Sequence, residues 1–279
     1  MSGSLLKMGA ALVSPWTGVP TKLIRKTLLV EQGVDRLPVY TLTFEIPRGH
    51  SFSGRAQPLE NVRIDFGEVI KFVIPFYKPK SYSMSALRES ENEFDVTLKI
   101  YPNGRASGHL DRIQIGESVN AFGLKNNKVR NPGKFFGGIA YGVGITEILP
   151  VARFELEKGD SERVVVVWAS RTLADTFWHD QIEELNQKYK ERFEMVYIFS
   201  RENKTETTTE HLPTGALHGR IDSSVLKQVF EPRLCLSETT KLERDKARFL
   251  VIGTKAMMRM TEAMLSEIGF PFHKHALLQ

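Results

Sequence analysis

The chain has 279 residues, of which 41% are hydrophobic and 25% charged, enough apolar material for one large or two ordinary buried cores. Its single cysteine, Cys235, excludes an internal disulfide and a cysteine-built metal or iron–sulfur site, and no apolar run approaches the roughly 18 residues that a membrane-spanning helix needs. The net charge of +5 is dispersed among interleaved acids, which suits anionic ligands and acidic protein partners but not nucleic acid.

Residues 1–30 contain no acid but carry Lys7, Lys22, Arg25 and Lys26 with several serines, the pattern of a mitochondrial targeting segment; a plain N-terminal arm with cytoplasmic location is the alternative. Residues 1–21 are therefore set apart. From 22 to 128 the pattern is that of strands. Leu23–Glu31, Val39–Ile46, Glu68–Pro75, Phe94–Tyr101 and Glu117–Leu124 are rich in Val, Ile, Thr and Phe and are separated by Gly, Pro or Asn. They predict a small antiparallel barrel or sandwich, with 48–65 as a loop insertion.

From 129 to 279 the character changes. Strands at Phe135–Ala140, Val164–Trp168, Glu194–Phe199 and Phe249–Ile252 alternate with helices from after Thr146 to about Lys158, Ala174–Tyr189, Ser223–Phe230 and Ala256–Ile268. Pro150 is expected in the first turn of the first helix, and Gly269 ends the last. Five consecutive apolar residues at Val164–Trp168 suit a strand covered on both faces, and the alternation implies a parallel sheet. His179 and His218 read as surface residues, Trp168, Phe177 and Trp178 as packing, and the end His273-Lys274-His275 as a solvated tail rather than a metal site.

Three stretches carry chemistry. Lys80-Ser81-Tyr82-Ser83 offers a cation, a flat phenol and hydroxyls at the end of a strand. Gly104-Arg105-Ala106-Ser107 follows the alternating strand Val96–Ile100 and combines a close backbone approach with positive charge. Together they suit a planar cofactor bearing a pyrophosphate. Gly142-Val143-Gly144-Ile145-Thr146 and Gly253-Thr254-Lys255-Ala256-Met257 each turn a strand into a helix, whose N-terminus presents free N–H groups to a phosphate.

The ordered set of a β domain, Lys-x-Tyr-Ser, Lys99-Ile100-Tyr101-Pro102-Asn103-Gly104-Arg105-Ala106-Ser107, Gly-x-Gly-Ile-Thr, and Gly253 with Met257 resembles the ferredoxin–NADP reductase superfamily. Within it, the nearest branch is that of NADH–cytochrome b5 reductase and the flavin domain of nitrate reductase. The resemblance implies a β + α/β fold: an antiparallel six-stranded FAD-binding barrel followed by a Rossmann-like parallel-sheet NAD(P)-binding domain. It implies FAD and either NADH or NADPH as cofactors. Lys80, Ser81, Tyr82, Ser83, Thr97, Leu98, Lys99, Tyr101, Gly104, Arg105, Ala106 and Ser107 would contact FAD. Gly142, Gly144, Thr146, Ser170, Arg171, Gly253 and Met257 would serve the nucleotide. Ser83, near the flavin N5, and Thr146, near flavin and nicotinamide, would be the catalytic positions. Ser200-Arg201 with Lys204 is a further arginine-bearing strand end near the adenosine. No metal is implied.

The implied activity is transfer of electrons from NAD(P)H through FAD to a one-electron acceptor, an acidic haem or iron–sulfur protein. Five positions depart from the family pattern: Lys80 stands for arginine, Tyr141 for the first glycine of the nucleotide loop, Glu147 for proline, Ile252 for cysteine and Thr254 for proline. Lys80, Tyr141 and Ile252 motivate a second reading, a reductase-like subunit of a larger mitochondrial assembly that holds FAD without turning over nucleotide.

Overall fold

A computed structural model describes residues 12–13, 17–202, 212–234 and 244–279; most of the N-terminal arm, Lys204 and Cys235 lie outside the described residues. The chain divides into two compact units. One comprises the chain up to Thr27 with Tyr40–Asn126, the other Leu28–Val39 with Asn127–Gln279.

The first unit is built on strands β1 (Val19–Val30), β2 (Val39–Glu45), β3 (Val69–Phe72), β4 (Lys80–Ser83), β5 (Ala86–Arg88), β6 (Glu93–Lys99) and β7 (Ser118–Leu124). They lie in the order β4–β3–β7–β1–β2–β6–β5, and the two-residue strand Ala56–Gln57 adds to β7. The pairs β1–β7, β3–β7, β3–β4 and β5–β6 are antiparallel. Alternation sets the faces: Val19, Thr21 and Leu23 are buried while Pro20 and Lys22 are exposed. Phe44 packs against Phe72 and Phe94 at ring separations of 5.1 and 5.4 Å. The hydroxyls of Thr41, Thr97 and Ser85 form a chain at 2.8 and 3.0 Å that joins β2, β6 and the segment after β4.

Two expectations change here. The segment 48–65 is not a bare insertion, because Leu59 and Val62 are buried in the core through a short 3-10 turn at Leu59–Asn61. Residues 105–107 are not a loop either. They open helix α1 (Arg105–Arg112), whose Leu110 is wholly buried. Its length of 8 residues and the glycines at 104 and 108, one before it and one within it, hid it from a periodicity argument.

The second unit contains β8 (Phe135–Tyr141), α2 (Ile145–Glu157), β9 (Arg163–Ser170), α3 (His179–Lys188), β10 (Phe193–Phe199), β11 (Leu217–His218), α4 (Ser223–Arg233), β12 (Ala247–Ile252), α5 (Lys255–Glu267) and α6 (Phe272–His275). The sheet order is β11–β10–β9–β8–β12, with every pair parallel. Val164 to Trp168 are fully buried, as expected of a strand covered on both faces. Gly137 and Gly138 leave β8 bare, so that the Phe249 ring and Ile148 of α2 come to within 2.5 and 2.6 Å of where a Cβ would stand. No helix among the described residues is long and apolar enough to cross a membrane.

Three local expectations are corrected. Helix α3 starts at His179 rather than at Ala174, since Trp178 holds φ at +60° and separates it from a 3-10 turn at Leu173–Asp175. Pro150 lies in the second turn of α2, not its first, because the helix already begins at Ile145, directly after the 3-10 turn Gly142–Gly144. The C-terminal segment is packed, not solvated. His275 is buried with its Nδ1 2.9 Å from the Ala247 carbonyl, and Leu277 and Leu278 are buried beside it.

Candidate functional site

The first unit holds a cavity of about 420 Å³ lined by Ile74, Phe76, Tyr77, Lys78, Lys80, Arg105 and Ala106. Strand β4 supplies Lys80, and α1 supplies Arg105 from its first turn, where the helix N-terminus adds its own positive field. The Arg105 guanidinium lies 4.4 Å above the Tyr77 ring, which fixes its direction. Gly104 sits so close to its neighbours that a Cβ would stand 2.2 Å from Ser107 Oγ and 3.0 Å from the Tyr101 carbonyl. Three cations on one cavity, with aromatic rings beside them, form a cradle for a dianionic diphosphate.

The loop into β4 is the part that the sequence reading missed. The Tyr77 N–H donates to the Ile74 carbonyl at 3.1 Å, closing a turn whose second residue is Pro75. Its third residue, Phe76, holds φ at +63°. That position ordinarily belongs to Gly or Asn, and a bulky residue there costs on the order of 1–2 kcal/mol. A Pro-Phe pair is common in loops, so no local signal in the sequence marks this position.

Further along β4, Lys80 and Ser81 are exposed and Tyr82 and Ser83 half-buried. The Tyr82 ring meets Phe72 edge-on at 6.0 Å. Its phenol is pushed up to about 12 by burial and by the nearby Tyr101 phenol. Tyr101 itself is exposed, and its backbone N–H donates to Ser107 Oγ at 3.1 Å, so the Ser107 hydroxyl braces the turn after β6. Leu98 belongs to the barrel core, whereas Thr97, its neighbour on the strand, is buried on the opposite face with its hydroxyl engaged by Thr41 and Ser85. Lys99 is half-buried at the end of β6. The structure thus brings Lys80, Arg105 and Ala106 to one cavity, turns Leu98 into the core and ties the Thr97 hydroxyl to Thr41 and Ser85 on the other face of the strand.

In the second unit, β8 pairs with β9 on one side and β12 on the other, and Ala140 lies in register with Ile252. The chain leaves β8 and β12 in loops that diverge from this point. In open parallel sheets such a switch point, outside the carboxyl ends of the strands, is where ligands bind. Gly142 holds φ at +53° with nothing within 4 Å of its Cβ position, so the loop presents bare backbone to solvent. Trp168 Nε1–H donates to the Gly142 carbonyl at 2.8 Å and fixes the turn from below. Gly144 is needed for packing, since its Cβ would stand 2.6 Å from the Ile252 carbonyl oxygen. Thr146 is buried and its hydroxyl donates to the Val143 carbonyl at 2.9 Å.

Across from it, Thr254 caps α5 by accepting the Met257 N–H at 3.3 Å. This gives the residue that replaces proline a defined task. Gly253 makes room for Tyr141: a Cβ there would lie 2.9 Å from the tyrosine ring. The Tyr141 hydroxyl is 2.6 Å from Thr261 Oγ1, and Thr261 donates its own proton to the Met257 carbonyl. Tyr141 is therefore the donor, and its ring is held toward α5. Burial pushes its phenol up. Met257 stays exposed in the first turn of α5.

Arg171 pairs with Asp175 at 2.8 Å, and the Thr172 hydroxyl holds the other carboxylate oxygen at 2.9 Å. Arg201 is exposed after β10. Ser170, Phe199 and His218 stand in one row across the ends of β9, β10 and β11. Ser170 Oγ and His218 Nδ1 are buried without a hydrogen-bond partner among the described residues. Orphaned polar atoms at strand ends fit a site that a polar ligand completes. His218 is half-buried rather than a plain surface residue.

Two known protein families match stretches of this chain. Residues 56–126 match the oxidoreductase FAD-binding domain, and residues 139–263 match the oxidoreductase NAD-binding domain. NADH–cytochrome b5 reductase 1 of Arabidopsis thaliana is 29% identical over 186 residues, which is 64% of this chain and 61% of that protein. NADH–cytochrome b5 reductase 1 of Dictyostelium discoideum is 27% identical over 70% of this chain and 62% of its own length. The chain thus matches about three-fifths of the length of these relatives. Among solved structures, the CS–b5R domains of human Ncb5or superpose with a TM-score of 0.70 at 17% identity, covering 92% of this chain and 68% of that one. The cytochrome b5 reductase domain of Ulva prolifera nitrate reductase gives a TM-score of 0.65 at 17% identity, covering 92% and 95%. At these identities, the structural matches speak for the fold.

Proposed function

We propose that this chain, a member of the ferredoxin–NADP reductase superfamily, is an FAD-dependent oxidoreductase that takes electrons from NADH and delivers them to a haem protein. The observation that carries the proposal is the joint presence of an FAD-binding and an NAD-binding domain in one chain. In the first, Lys78, Lys80 and Arg105 would neutralise the flavin diphosphate, with lysine keeping the charge that arginine supplies elsewhere but not its bidentate fork. Tyr82 keeps its proton through the physiological range, so it presents a neutral flat face and an O–H donor. In the second, the bare backbone at Gly142 and the start of α2 would take the nucleotide diphosphate.

When bound, the flavin supplies the hydride-to-single-electron conversion that no side chain performs. Ser83 supplies a hydroxyl at the end of β4. Thr146, tied to Val143, holds the glycine turn in shape rather than moving a proton. Tyr141 is held toward α5 by Thr261, which supports a nucleotide site that remains usable. Asp175 supports NADH over NADPH, since it occupies Arg171 and would repel a 2′-phosphate.

The test is spectroscopic. The purified protein should show a flavin spectrum that bleaches anaerobically within seconds of adding NADH and recovers on adding oxidised cytochrome b5. A flavin that stays oxidised with both NADH and NADPH would overturn the proposal.

A further inference from the structure

We infer that the basic, acid-free run at the start of the chain is a retained part of the first unit and not a removable targeting segment, so that any maturation cut falls ahead of Leu12. Neither the flavin nor the nucleotide reading is needed for this. Of the four cations that give the run its targeting character, Lys22, Arg25 and Lys26 lie in β1. That strand is interior, placed between β7 and β2, and a cut within it would leave both neighbours with an unpaired edge. Two of its cations are also engaged. Lys26 Nζ donates to Asp111 Oδ1 at 2.6 Å and to the Asp111 carbonyl at 2.7 Å, and it stands 4.7 Å from the centre of the Tyr40 ring. Arg25 pairs with Glu93 at 3.2 Å. The acids missing from residues 1–30 are thus supplied by α1 and β6.

The chain ahead of β1 is built in as well. Asn120 Nδ2–H donates to the Thr17 carbonyl at 2.9 Å. Gly18 holds φ at +61°, and a Cβ there would stand 2.9 Å from both the backbone nitrogen and the carbonyl oxygen of Ala121, so glycine is what lets the chain pass this close to β7. Val19 and Thr21 are buried and lie opposite Ala121 and Val119. Further back, Leu12 and Val13 pair in parallel with Ser51 and Phe52. An import signal acts as a detached segment, and its removal must leave the fold whole. The described residues between Leu12 and Val30 meet neither condition. Ahead of Leu12 the sequence offers one cation, Lys7, and no arginine, whereas transit segments are rich in arginine.

The experiment produces the full, untagged chain in yeast, which has both a cytosol and mitochondria, and reads the first residue of the folded product by intact mass and peptide mapping. The first residue should be Leu12 or one ahead of it, in whichever compartment the protein is found. Any first residue beyond Leu12 would overturn the inference. Limited trypsin digestion of the same protein gives a second readout. Cleavage after Lys22, Arg25 and Lys26 should be no faster than after Lys71, which lies in the interior strand β3. Rapid release of the segment up to Lys26 from an otherwise intact chain would also overturn it. Gly18→Ala, which forces a Cβ onto the Ala121 backbone, and Asn120→Ala, which removes the bond to Thr17, should each speed cleavage after Lys22 by about fivefold. Unchanged rates in both variants would show that the segment around Thr17 and Gly18 holds nothing, and would overturn the claim that it belongs to the fold. Should either variant fail to fold, the wild-type first residue still decides the question.

Discussion

Replacing Gly253 by alanine tests whether Tyr141 is a fixed wall of the nucleotide crevice or a movable side chain. The new Cβ would lie 2.9, 3.1 and 3.2 Å from Tyr141 Cδ2, Cβ and Cγ. Ordinary contact begins at 3.4 Å, so the ring must retreat by several tenths of an ångström. It is tethered at its far end by the 2.6 Å bond to Thr261, whose own proton is committed to Met257. Overpacking of this kind costs about 1–3 kcal/mol, and a stretched or broken hydrogen bond adds about 1. We therefore expect Gly253→Ala to lose about 2 kcal/mol of stability. In a Tyr141→Ala background the obstacle is gone. Gly253 does not require positive φ, so alanine there should be neutral or stabilise by about 0.4–1 kcal/mol. The double-mutant cycle should give a coupling of about 2–3 kcal/mol. Urea melts of the four proteins followed by tryptophan fluorescence will measure it, since Trp168 and Trp178 both lie in the second unit. A raised KM for NADH in Gly253→Ala should accompany the loss. A coupling below about 0.5 kcal/mol would show that the ring yields freely, and the idea of a fixed wall would be wrong.

Two further outcomes follow from charge. Asp175→Ala releases Arg171 and removes a carboxylate from the strand end, so the ratio of kcat/KM for NADPH to that for NADH should rise about tenfold, measured in steady state; an unchanged ratio would place the adenosine elsewhere. Burial pushes the Glu194 carboxyl up, but the guanidiniums of Arg233 and Arg163 outweigh it and hold it below its ordinary value. A depressed folded-state pKa gives stability that is present above the unfolded carboxylate range and is lost as pH falls through the folded value. Glu194→Gln should cost about 1 kcal/mol near neutrality and flatten the stability profile below about pH 4.3. Parallel acid limbs in wild type and variant would refute this.

Much of the architecture was legible because it rests on pattern. Period-two burial in β1 and the continuous apolar run of β9 are direct expressions of how a strand is covered. The glycines at 142, 144 and 253 were legible as loops, but not what each does. Gly142 frees a surface, Gly144 admits the Ile252 carbonyl, and Gly253 admits a tyrosine ring. The last two are contacts between residues more than 100 positions apart, which no local rule contains. Tyr141 read as an obstruction because its partner, Thr261, is a single polar residue on an otherwise unremarked helix. The C-terminal histidines read as solvated because their polarity was visible and the Ala247 carbonyl awaiting His275 was not. Phe76 was missed for a different reason: a Phe after Pro is common in any loop, and only the backbone angle gives it meaning.

The strand order of the second unit also dictates when the nucleotide crevice comes into being. Strand β8 is made first and β12 last, yet they are neighbours, with Phe135 opposite Ala247 and Ala140 opposite Ile252. During synthesis, β8 therefore waits with one edge unpaired until more than 100 further residues have been added. That edge runs Phe-Phe-Gly-Gly-Ile-Ala, apolar and without a gatekeeping charge, so the growing chain passes through a stage open to wrong strand partners. Arrival of β12 closes the edge and creates the switch point in the same step. The ability to hold a dinucleotide is thus a report that the sheet has been completed, and ligand binding rewards only chains that have finished folding.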